Sequence, residues 1–567
     1  MPRRLARVRQ RHLMPPACVF LVAALLLPVP VLEAQSLGLY SPEDPLVLLQ
    51  ADTLEQNILN STSAWVVEFY ASWCGHCKNF APTWKALAND VKDWRPAVNL
   101  AVIDCADMTN QKVCSKFGIA GYPTVKFFKA FATSPQDGVR IHNNGDDIQT
   151  LRETIITSVE RHEVLPSPCP PLQPISVTEL RNFFQANNVT YLALIFEKDD
   201  SFLGREVALD MVQFKNIAVR RVLQSNKELV NQFNITAFPS GLLVVKNGSY
   251  SSIPGCTECR PLYTEFLRNI PGVFRRDAFI PTVPPSAQPP TTSVPWKVAD
   301  KRKLYMADLE SAVLYTLRVE AALFPFLDGE RLSALKQYVS VLVKYFPGRF
   351  VVMNYLRDLD WWLRPKTNVS QTEWEEALRN KKEFPNSRLP EHPIWVGCQG
   401  SKPQFRGFPC GLWTLFHLLT VQEAARNPFS PSDALPTMRK YIRHFFGCRM
   451  CAEHFENMAA ESMHEVRNRE EAVLWLWSRH NRVNARLAGT ASDDPKFPKV
   501  QWPPRELCQS CQFTLNGRPM WNTRAIQTFF KNHFSLRNIY LDFIKFERGH
   551  SARRDRGRSA DCGGFLT

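Results

Sequence analysis

"EFYASWCGHCKNF", residues 68–80, sets two cysteines three positions apart directly after an apolar, β-rich run, WVVEFYA at 65–71. Apolar side chains then recur at helical spacing through Phe80, Trp84 and Leu87, so the stretch reads as strand, turn and helix with Cys74 at the turn. A thiol attacks as thiolate, and a cysteine at a helix N-terminus is helped to ionise by peptide dipoles and free amide hydrogens. Cys77 follows on the same helix face, positioned to attack a mixed disulfide formed at Cys74. Glu68 is a carboxylate inside the apolar strand, which is costly unless paired or functional. Its expected task is to take and return a proton for Cys77.

Downstream, NLAVIDC at 99–105, a short helix near Lys112 to Phe117, Gly121-Tyr122-Pro123 and TVKFFK continue the alternation, predicting an α/β domain over 35–165. The rhythm returns over 166–274, with YLALIF at 191–196, a helix around Glu228 to Phe233, Phe238-Pro239-Ser240 and GLLVVK. There SFLGREVALDM stands where a second Cys-x-x-Cys would fall, so this copy reads as redox-silent. Cys256-Thr257-Glu258-Cys259 follows a strand rather than opening a helix and reads as structural. Residues 275–299 are rich in Pro, Ser and Thr and are expected to be an extended linker.

Beyond it, 302–380 carries helical spacing (Leu309, Val313, Leu317, Ala321; then Leu335, Val339, Val343), and 405–545 again reads mostly helical. A helical extension is expected over 513–545, then a disordered basic tail over 546–567 with an odd Cys562. The chain is thus multidomain, two α/β domains followed by an all-α region.

Residues 1–34 join an Arg-rich head to an apolar stretch and small residues, the pattern of a secretory signal peptide. An oxidising compartment follows, so the fourteen cysteines after Cys18 are read first as disulfides. Asn60, Asn188, Asn234, Asn247 and Asn368 open Asn-x-Ser/Thr acceptors for glycosylation, if exposed. No later segment offers the roughly 20 unbroken apolar residues of a membrane span. The net charge of +15 is spread along the chain, with no basic, aromatic-interleaved module, which argues against nucleic acid as partner.

Phe69-Tyr70-Ala71-Ser72-Trp73-Cys74-Gly75-His76-Cys77-Lys78, followed by Gly121-Tyr122-Pro123-Thr124, resembles a thioredoxin-fold domain of the protein disulfide isomerase type. The resemblance implies a cis Pro123 facing the disulfide, with Trp73, His76 and Pro123 meeting the substrate. Pro239 is its counterpart in the silent copy. It also implies a structural Cys105–Cys114 pair.

A second chemical centre stands at Gly447-Cys448-Arg449-Met450-Cys451-Ala452-Glu453-His454. Downstream, VLWLWSRHNRVNARL at 473–487 sets His480 and Asn484 at i, i+4 on one helix face. Upstream stand Arg406, Cys410, Trp413 and His417. Taken singly, each is more often core packing or a solvated face. Together, Cys448-x-x-Cys451 with His454, Trp477-x-x-His480-Asn481-x-Val483-Asn484 and Lys499-Val500-Gln501-Trp502 are similar to the Erv/ALR flavin-dependent sulfhydryl oxidase domain. The order of domains resembles that of the quiescin sulfhydryl oxidases.

That resemblance implies an FAD-binding four-helix bundle over 393–512, with 300–392 an Erv-like region lacking cofactor. It assigns Arg406, Trp413, His417, His454, Trp477, His480, Asn481, Val483, Asn484, Lys499 and Trp502 to the FAD. Cys451 would lie beside the flavin, Cys448 would exchange with the thioredoxin site, and Cys398–Cys410 and Cys508–Cys511 would be disulfides. The implied activity oxidises dithiols of reduced, unfolded or partly folded secretory proteins with O2, yielding H2O2, by a monomer located in the secretory pathway and outside the cell. No metal is expected. Two positions depart from the family pattern: Gly241 stands where a cysteine partner for Cys169 is expected, leaving Cys169 to Cys256, Cys259 or no partner, and Met450 replaces an acidic residue. Competing readings are a flavin-free disulfide isomerase or chaperone, a zinc module of Cys448, Cys451, Cys508 and Cys511, and a binding or matrix protein with structural disulfides only.

Overall fold

The computed structural model describes residues 38–141, 147–161, 166, 169–254, 260–276, 299–516 and 518–541. The expected signal peptide, most of the linker, the basic tail, Cys256, Cys259 and Cys562 lie outside them.

The first domain comprises β1 (Val47–Leu48), α1 (Leu54–Ile58), β2 (Ala64–Tyr70), α2 (Gly75–Asp90), β3 (Val98–Asp104), α3 (Gln111–Lys116), β4 (Thr124–Phe128), β5 (Val139–Arg140) and α4 (Ile148–Glu160). Strand order is β1-β3-β2-β4-β5, with β2 parallel to β3 and antiparallel to β4. Every residue of β2 is buried, as its unbroken apolar run requires of a central strand covered on both faces. Its position puts Cys74 at the end of the sheet and α2 across one face.

The second domain repeats the plan with α5 (Val177–Ala186), β6 (Tyr191–Glu197), α6 (Leu203–Asp210), β7 (Phe214–Lys215), β8 (Ile217–Leu223), α7 (Lys227–Gln232), β9 (Ser240–Val245), β10 (Tyr250–Ile253), α8 (Arg260–Arg268) and β11 (Phe274–Arg275). Its four-stranded sheet runs β10-β9-β6-β8. Both Tyr122-Pro123 and Phe238-Pro239 are cis, as the resemblance implies. At Gly241 an added Cβ would lie 2.7 Å from the Tyr263 ring, so in this packing no side chain fits there.

Charged side chains seam the two α/β domains together. Asp210 accepts from Arg260 Nε at 2.7 Å, from Thr264 Oγ1 at 2.9 Å and, across the seam, from Trp94 Nε1 at 2.8 Å. Arg260 also reaches Asp90 at 2.8 Å, and Arg152 bridges Asp90 and Glu206 at 3.1 and 2.7 Å.

The second half contains α9 (Met306–Tyr315), continued by a π-turn at Thr316–Glu320, then α10 (Gly329–Tyr345), α11 (Phe350–Leu363) and α12 (Gln371–Ala377). It goes on with α13 (Gly407–Arg426), α14 (Ala434–Phe445), α15 (Arg449–Ser462), α16 (Arg469–Leu487) and α17 (Thr523–His533). Phe408, Leu412, Leu415, Phe416, Leu418, Leu419 and Val421 bury α13 on nearly all sides, as befits a central helix. It packs against α9, α14 and α16, while α10 packs against α14, so the two helical regions share one core. The expected helical extension holds for α17, but Gln512–Leu515 and Arg518–Trp521 form an antiparallel hairpin instead. Asn516 takes a positive φ of 49° at its turn, the conformation that an Asn-Gly pair favours.

Asp210→Ala leaves Arg260 with Asp90 alone and removes the acceptor of Trp94 Nε1 and Thr264 Oγ1. It is expected to destabilise the paired α/β domains by about 1–3 kcal/mol. A lowered urea-unfolding midpoint would bear this out, and an unchanged midpoint would contradict it.

Candidate functional site

Strand β2 delivers Cys74 to the N-cap of α2, and Cys77 falls in the helix's first turn. Both are fully buried free thiols, and the Cys74 thiol points at the Tyr122 carbonyl at 3.9 Å. Burial raises the Cys74 thiol, but hydrogen bonds from the Cys77 thiol, the His76 side chain and the backbone N–H groups of Cys77 and His76 outweigh it. The net result is a pKa of about 5. Burial and the Cys74 thiolate push Cys77 well up. One cysteine is therefore charged and the other protonated at neutral pH. Glu68 is buried in β2, accepts a hydrogen bond from the Tyr40 hydroxyl, and is raised by burial to about 8. Its other oxygen has no hydrogen-bond partner.

Cys448 caps α15 and forms a disulfide with Cys451 in its first turn. The sulfurs of Cys74, Cys448 and Cys451 and one ring nitrogen of His76 all lie within 4.8 Å of one another. His76 Nδ1 stands 3.4 Å from Cys448 Sγ and 3.6 Å from Cys451 Sγ, and the His76 ring stacks with that of His454 at 6.0 Å. Backbone pairing holds this juxtaposition, since Tyr122 N donates to Gly447 O at 2.8 Å beside a parallel bridge between Tyr122 and Cys448. The approach is close because glycines face it. A Cβ on Gly121 would lie 2.3 Å from Arg449 Cγ, and one on Gly447 would lie 2.5 Å from the Tyr122 ring. Trp73 completes the contact, donating from Nε1 to the Tyr315 hydroxyl at 2.9 Å and packing on Phe408 and Phe446. Such an arrangement is suited to thiol–disulfide exchange.

Cys451 opens onto a cavity of about 1280 Å³. Of the residues assigned to FAD, Arg406, Trp413, His417, His454, His480, Val483, Asn484, Lys499 and Trp502 line it. Trp477 and Asn481 do not: they face the loop behind its wall. There Trp477 Nε1 and Asn481 Nδ2 both donate to the Trp502 carbonyl, at 2.7 and 2.8 Å, and Asn481 Oδ1 accepts the Trp502 N–H at 2.7 Å. Their place at i, i+4 on α16 makes them the support that aims Trp502.

The cavity offers a flat aromatic surface and cationic groups. Trp413 stacks on His480 with ring centroids 4.2 Å apart, and His480 Nδ1 lies 3.0 Å from His417 Nε2. Burial lowers both histidines, His480 to about 3 and His417 well below the usual range, so both are neutral. His417 Nδ1 and Arg406 Nε are buried without a hydrogen-bond partner. Buried polar atoms are normally satisfied, so these orphans suit a polar planar ligand. Arg406, Lys78 and Lys499 give the lining cationic groups for a diphosphate, and burial with the neighbouring Lys499 lowers Lys78 to about 8. The residues present therefore fit FAD.

Other lining residues carried no local signal in the sequence. Gly75, Lys78 and Asn79 reach the cavity from the first α/β domain, Leu304, Tyr305 and Asp308 from the region expected to lack cofactor, and His533 and Phe534 from the end of α17. Asp308 accepts the backbone N–H groups of Val396, Gly397 and Cys398 at 2.6, 2.8 and 3.3 Å, fixing the segment before Arg406. His454 Nδ1 meets the Met450 carbonyl at 2.7 Å, a contact indifferent to the side chain at position 450.

The Cys105–Cys114, Cys398–Cys410 and Cys508–Cys511 disulfides are present. With Cys448–Cys451 also bonded, the four cysteines weighed as a zinc module are tied up in two disulfides. Cys169 has no disulfide partner among the described residues. All five candidate glycosylation asparagines are exposed.

Four families match successive stretches of the chain. The family described as thioredoxin matches residues 45–151, the QSOX Trx-like domain 166–273, the flavin adenine dinucleotide (FAD)-dependent sulfhydryl oxidase family 300–401, and the Erv1 / Alr family 410–503. Sulfhydryl oxidase 1 of Gallus gallus is 52% identical over 93% of this chain and 71% of its own length. Sulfhydryl oxidase 1 of Homo sapiens is 53% identical over 91% and 70%. A solved structure, the sulfhydryl oxidase fragment of human QSOX1, is 53% identical with a TM-score of 0.40, covering 43% of this chain and all of its own.

Asn481→Leu removes the acceptor of the Trp502 N–H and one of the two donors to its carbonyl. The expected cost is about 1–3 kcal/mol, together with a lower flavin content per chain. Calorimetry and visible absorbance check both, and a wild-type melt with full flavin would contradict the supporting role.

Proposed function

The chain belongs to the sulfhydryl oxidase family, and from that premise we propose how its own residues carry electrons from substrate thiols to oxygen. It is an FAD-dependent thiol oxidase that makes disulfides, 2 R–SH + O2 giving R–S–S–R and H2O2. The observation that carries the proposal is the cluster of three sulfurs and the His76 ring nitrogen within 4.8 Å, with Cys451 opening onto the cavity.

A substrate dithiol first attacks the Cys74–Cys77 disulfide, leaves as a disulfide, and converts that pair to the thiols present here. The Cys74 thiolate then attacks Cys448 Sγ. The Cys74–Cys448 bond forms, the Cys448–Cys451 bond breaks, and Cys451 departs as thiolate beside His76. Cys77, yielding its proton to Glu68, attacks Cys74 Sγ, restores the Cys74–Cys77 disulfide and releases Cys448. The electron pair now resides on the Cys448, Cys451 dithiol. Arg406, Trp413, His417, His454, His480, Val483, Asn484, Lys499 and Trp502 would hold FAD, which would supply the two-electron acceptor and the reduction of oxygen. Neutral His417 and His480 would offer ring nitrogens to it, and Trp477 with Asn481 keep Trp502 in place.

Cys74 and Cys77 are fully buried in this arrangement, so a protein substrate reaches them only when the thioredoxin domain leaves the helical half. The Pro-rich 275–299 segment is the tether for that movement. Trp73, His76 and Pro123 then meet reduced, unfolded or partly folded secretory and extracellular proteins. Three disulfides outside the relay support an oxidising compartment, the secretory pathway and the extracellular space, and the exposed acceptor asparagines Asn60, Asn188, Asn234, Asn247 and Asn368 accord with it. Both cysteine pairs and the cavity come from one chain, which accords with a monomer. A flavin-free isomerase leaves the cavity and the second cysteine pair unused.

Oxygen uptake matched by peroxide, when the purified protein meets a reduced unfolded protein, tests the activity. Flavin-loaded protein that takes up no oxygen would contradict it. Cys77→Ala is expected to abolish protein-dithiol oxidation, and retained turnover would remove the thioredoxin site from the path. Cys451→Ala is expected to stop oxygen reduction with FAD still bound, and persistent uptake would sink its assignment as the cysteine next to the flavin.

A further inference from the structure

Glu320 closes the π-turn after α9 and is fully buried. Its Oε2 accepts the Gly447 N–H at 2.5 Å, while Oε1 has no hydrogen-bond partner. Across the junction, the hydroxyl of Tyr122 also has none. A Cβ placed on Gly447 would lie 2.5 Å from the Tyr122 ring and 3.4 Å from Glu320 Oε1. Ring and carboxyl thus flank the residue whose carbonyl binds the thioredoxin domain and whose successor is Cys448.

The turn itself is pinned. Tyr441 donates to the Thr316 carbonyl and Tyr338 to the Thr316 hydroxyl, each at 3.0 Å, and Tyr315 accepts from Trp73. The Leu323 carbonyl, three residues past Glu320, accepts from Ser115 Oγ of the thioredoxin domain at 2.9 Å. One stretch of helix that carries no cysteine therefore grips both sides of the exchange. Helical segments of π form recur at functional sites.

We propose that Glu320 is a positioning residue of the interdomain exchange, whose uncharged carboxyl holds the Gly447–Cys448 loop against Tyr122 and whose ionisation favours separation of the domains. The proposal rests on the relay from Cys74 to Cys448 set out above. The titratable and charged groups whose electrostatics couple to the carboxyl are Cys74 and Tyr122 from the thioredoxin domain, Tyr315 on its own helix, Tyr441 on α14 and Arg449 on α15. Burial raises Glu320 to about 8, opposed by the Gly447 N–H and Arg449 and reinforced by the charge on Cys74. When the domains part, water replaces Tyr122 and the carboxyl falls back toward its ordinary range. The docked form then holds the proton more tightly than the open form. Docking gains most at low pH and loses this support as pH rises through about 8.

The test is flavin reduction in rapid mixing of the FAD-loaded, full-length protein with reduced, unfolded ribonuclease, from pH 7 to pH 9. Glu320→Ala is expected to slow it at least ~10-fold at pH 7. Glu320→Gln keeps the acceptor and stays neutral at every pH, and is expected to be reduced at least as fast as wild type at pH 7. Its rate relative to wild type should then rise about tenfold by pH 9, because the protonated fraction of a group titrating near 8 falls by about that factor. In a Cys74→Ser background, where dithiothreitol reduces Cys448–Cys451 directly, all three side chains at 320 should give rates within about twofold. A Gln variant that tracks wild type at every pH overturns the proposal, as does an Ala variant that slows the dithiothreitol route equally. If Glu320→Ala does not fold, the Gln profile decides. Wild type that is reduced by dithiothreitol but not by ribonuclease overturns the relay instead.

Discussion

The hydrogen bond from the Tyr122 amide to the Gly447 carbonyl, 2.8 Å long, is the contact on which the reactive geometry hangs. It joins backbone to backbone beside the cis Tyr122-Pro123 bond, where an extended substrate is expected to lie on a thioredoxin fold. The loop of the second cysteine pair thus enters the first site as a substrate strand would. A Cβ on Gly121 would run into the Arg449 side chain and one on Gly447 into the Tyr122 ring, which is the physical reason for glycine at both positions. Trp73, hydrogen-bonded to Tyr315, packs on Phe408 and Phe446 at the same junction.

Burial does the electrostatic work on both sides of that contact. It opposes charge on every group it encloses, so whether a group is ionised is decided by the few donors that reach it. Cys74 has the donors and is held at about 5, whereas Cys77, with the Cys74 thiolate beside it, stays protonated. The order of attack follows: Cys74 outward to Cys448 first, Cys77 inward to Cys74 second. Glu68, raised to about 8 by the same burial, sits in the range where a carboxyl both takes and returns a proton near neutrality. In the cavity the same desolvation leaves His417 and His480 neutral, as stacking on Trp413 and sharing one hydrogen bond require.

What was legible in the sequence was local. The apolar run of β2 with a cysteine at its end, and the cysteine pair opening α15, declare themselves within a dozen residues, because strand burial and helix N-termini are short-range physics. Spacing along α16 put Trp477, His480, Asn481 and Asn484 together, but not which of them faces the cavity. His480 and Asn484 do, while Trp477 and Asn481 are drawn away by the polar backbone of Trp502. The hairpin at 512–521 stands where helix is expected, and Asn516-Gly517 is the local turn signal for it. Docking was not legible. Glu320 lies 127 residues from Gly447, and Tyr315 lies 242 from Trp73, distances over which no periodicity carries information.

The most direct measurement of the central claim is a peptide map of the Cys77→Ala, Cys451→Ala double variant of the intact protein after air oxidation. With Cys77 and Cys451 gone, oxidation of the two remaining thiols of these pairs by air in this geometry has one product, and mass spectrometry should find the Cys74 peptide joined to the Cys448 peptide within a single chain. If Cys74 and Cys448 are instead each capped by small thiols, or joined only between different chains, the two cysteine pairs do not meet as described and the relay is wrong.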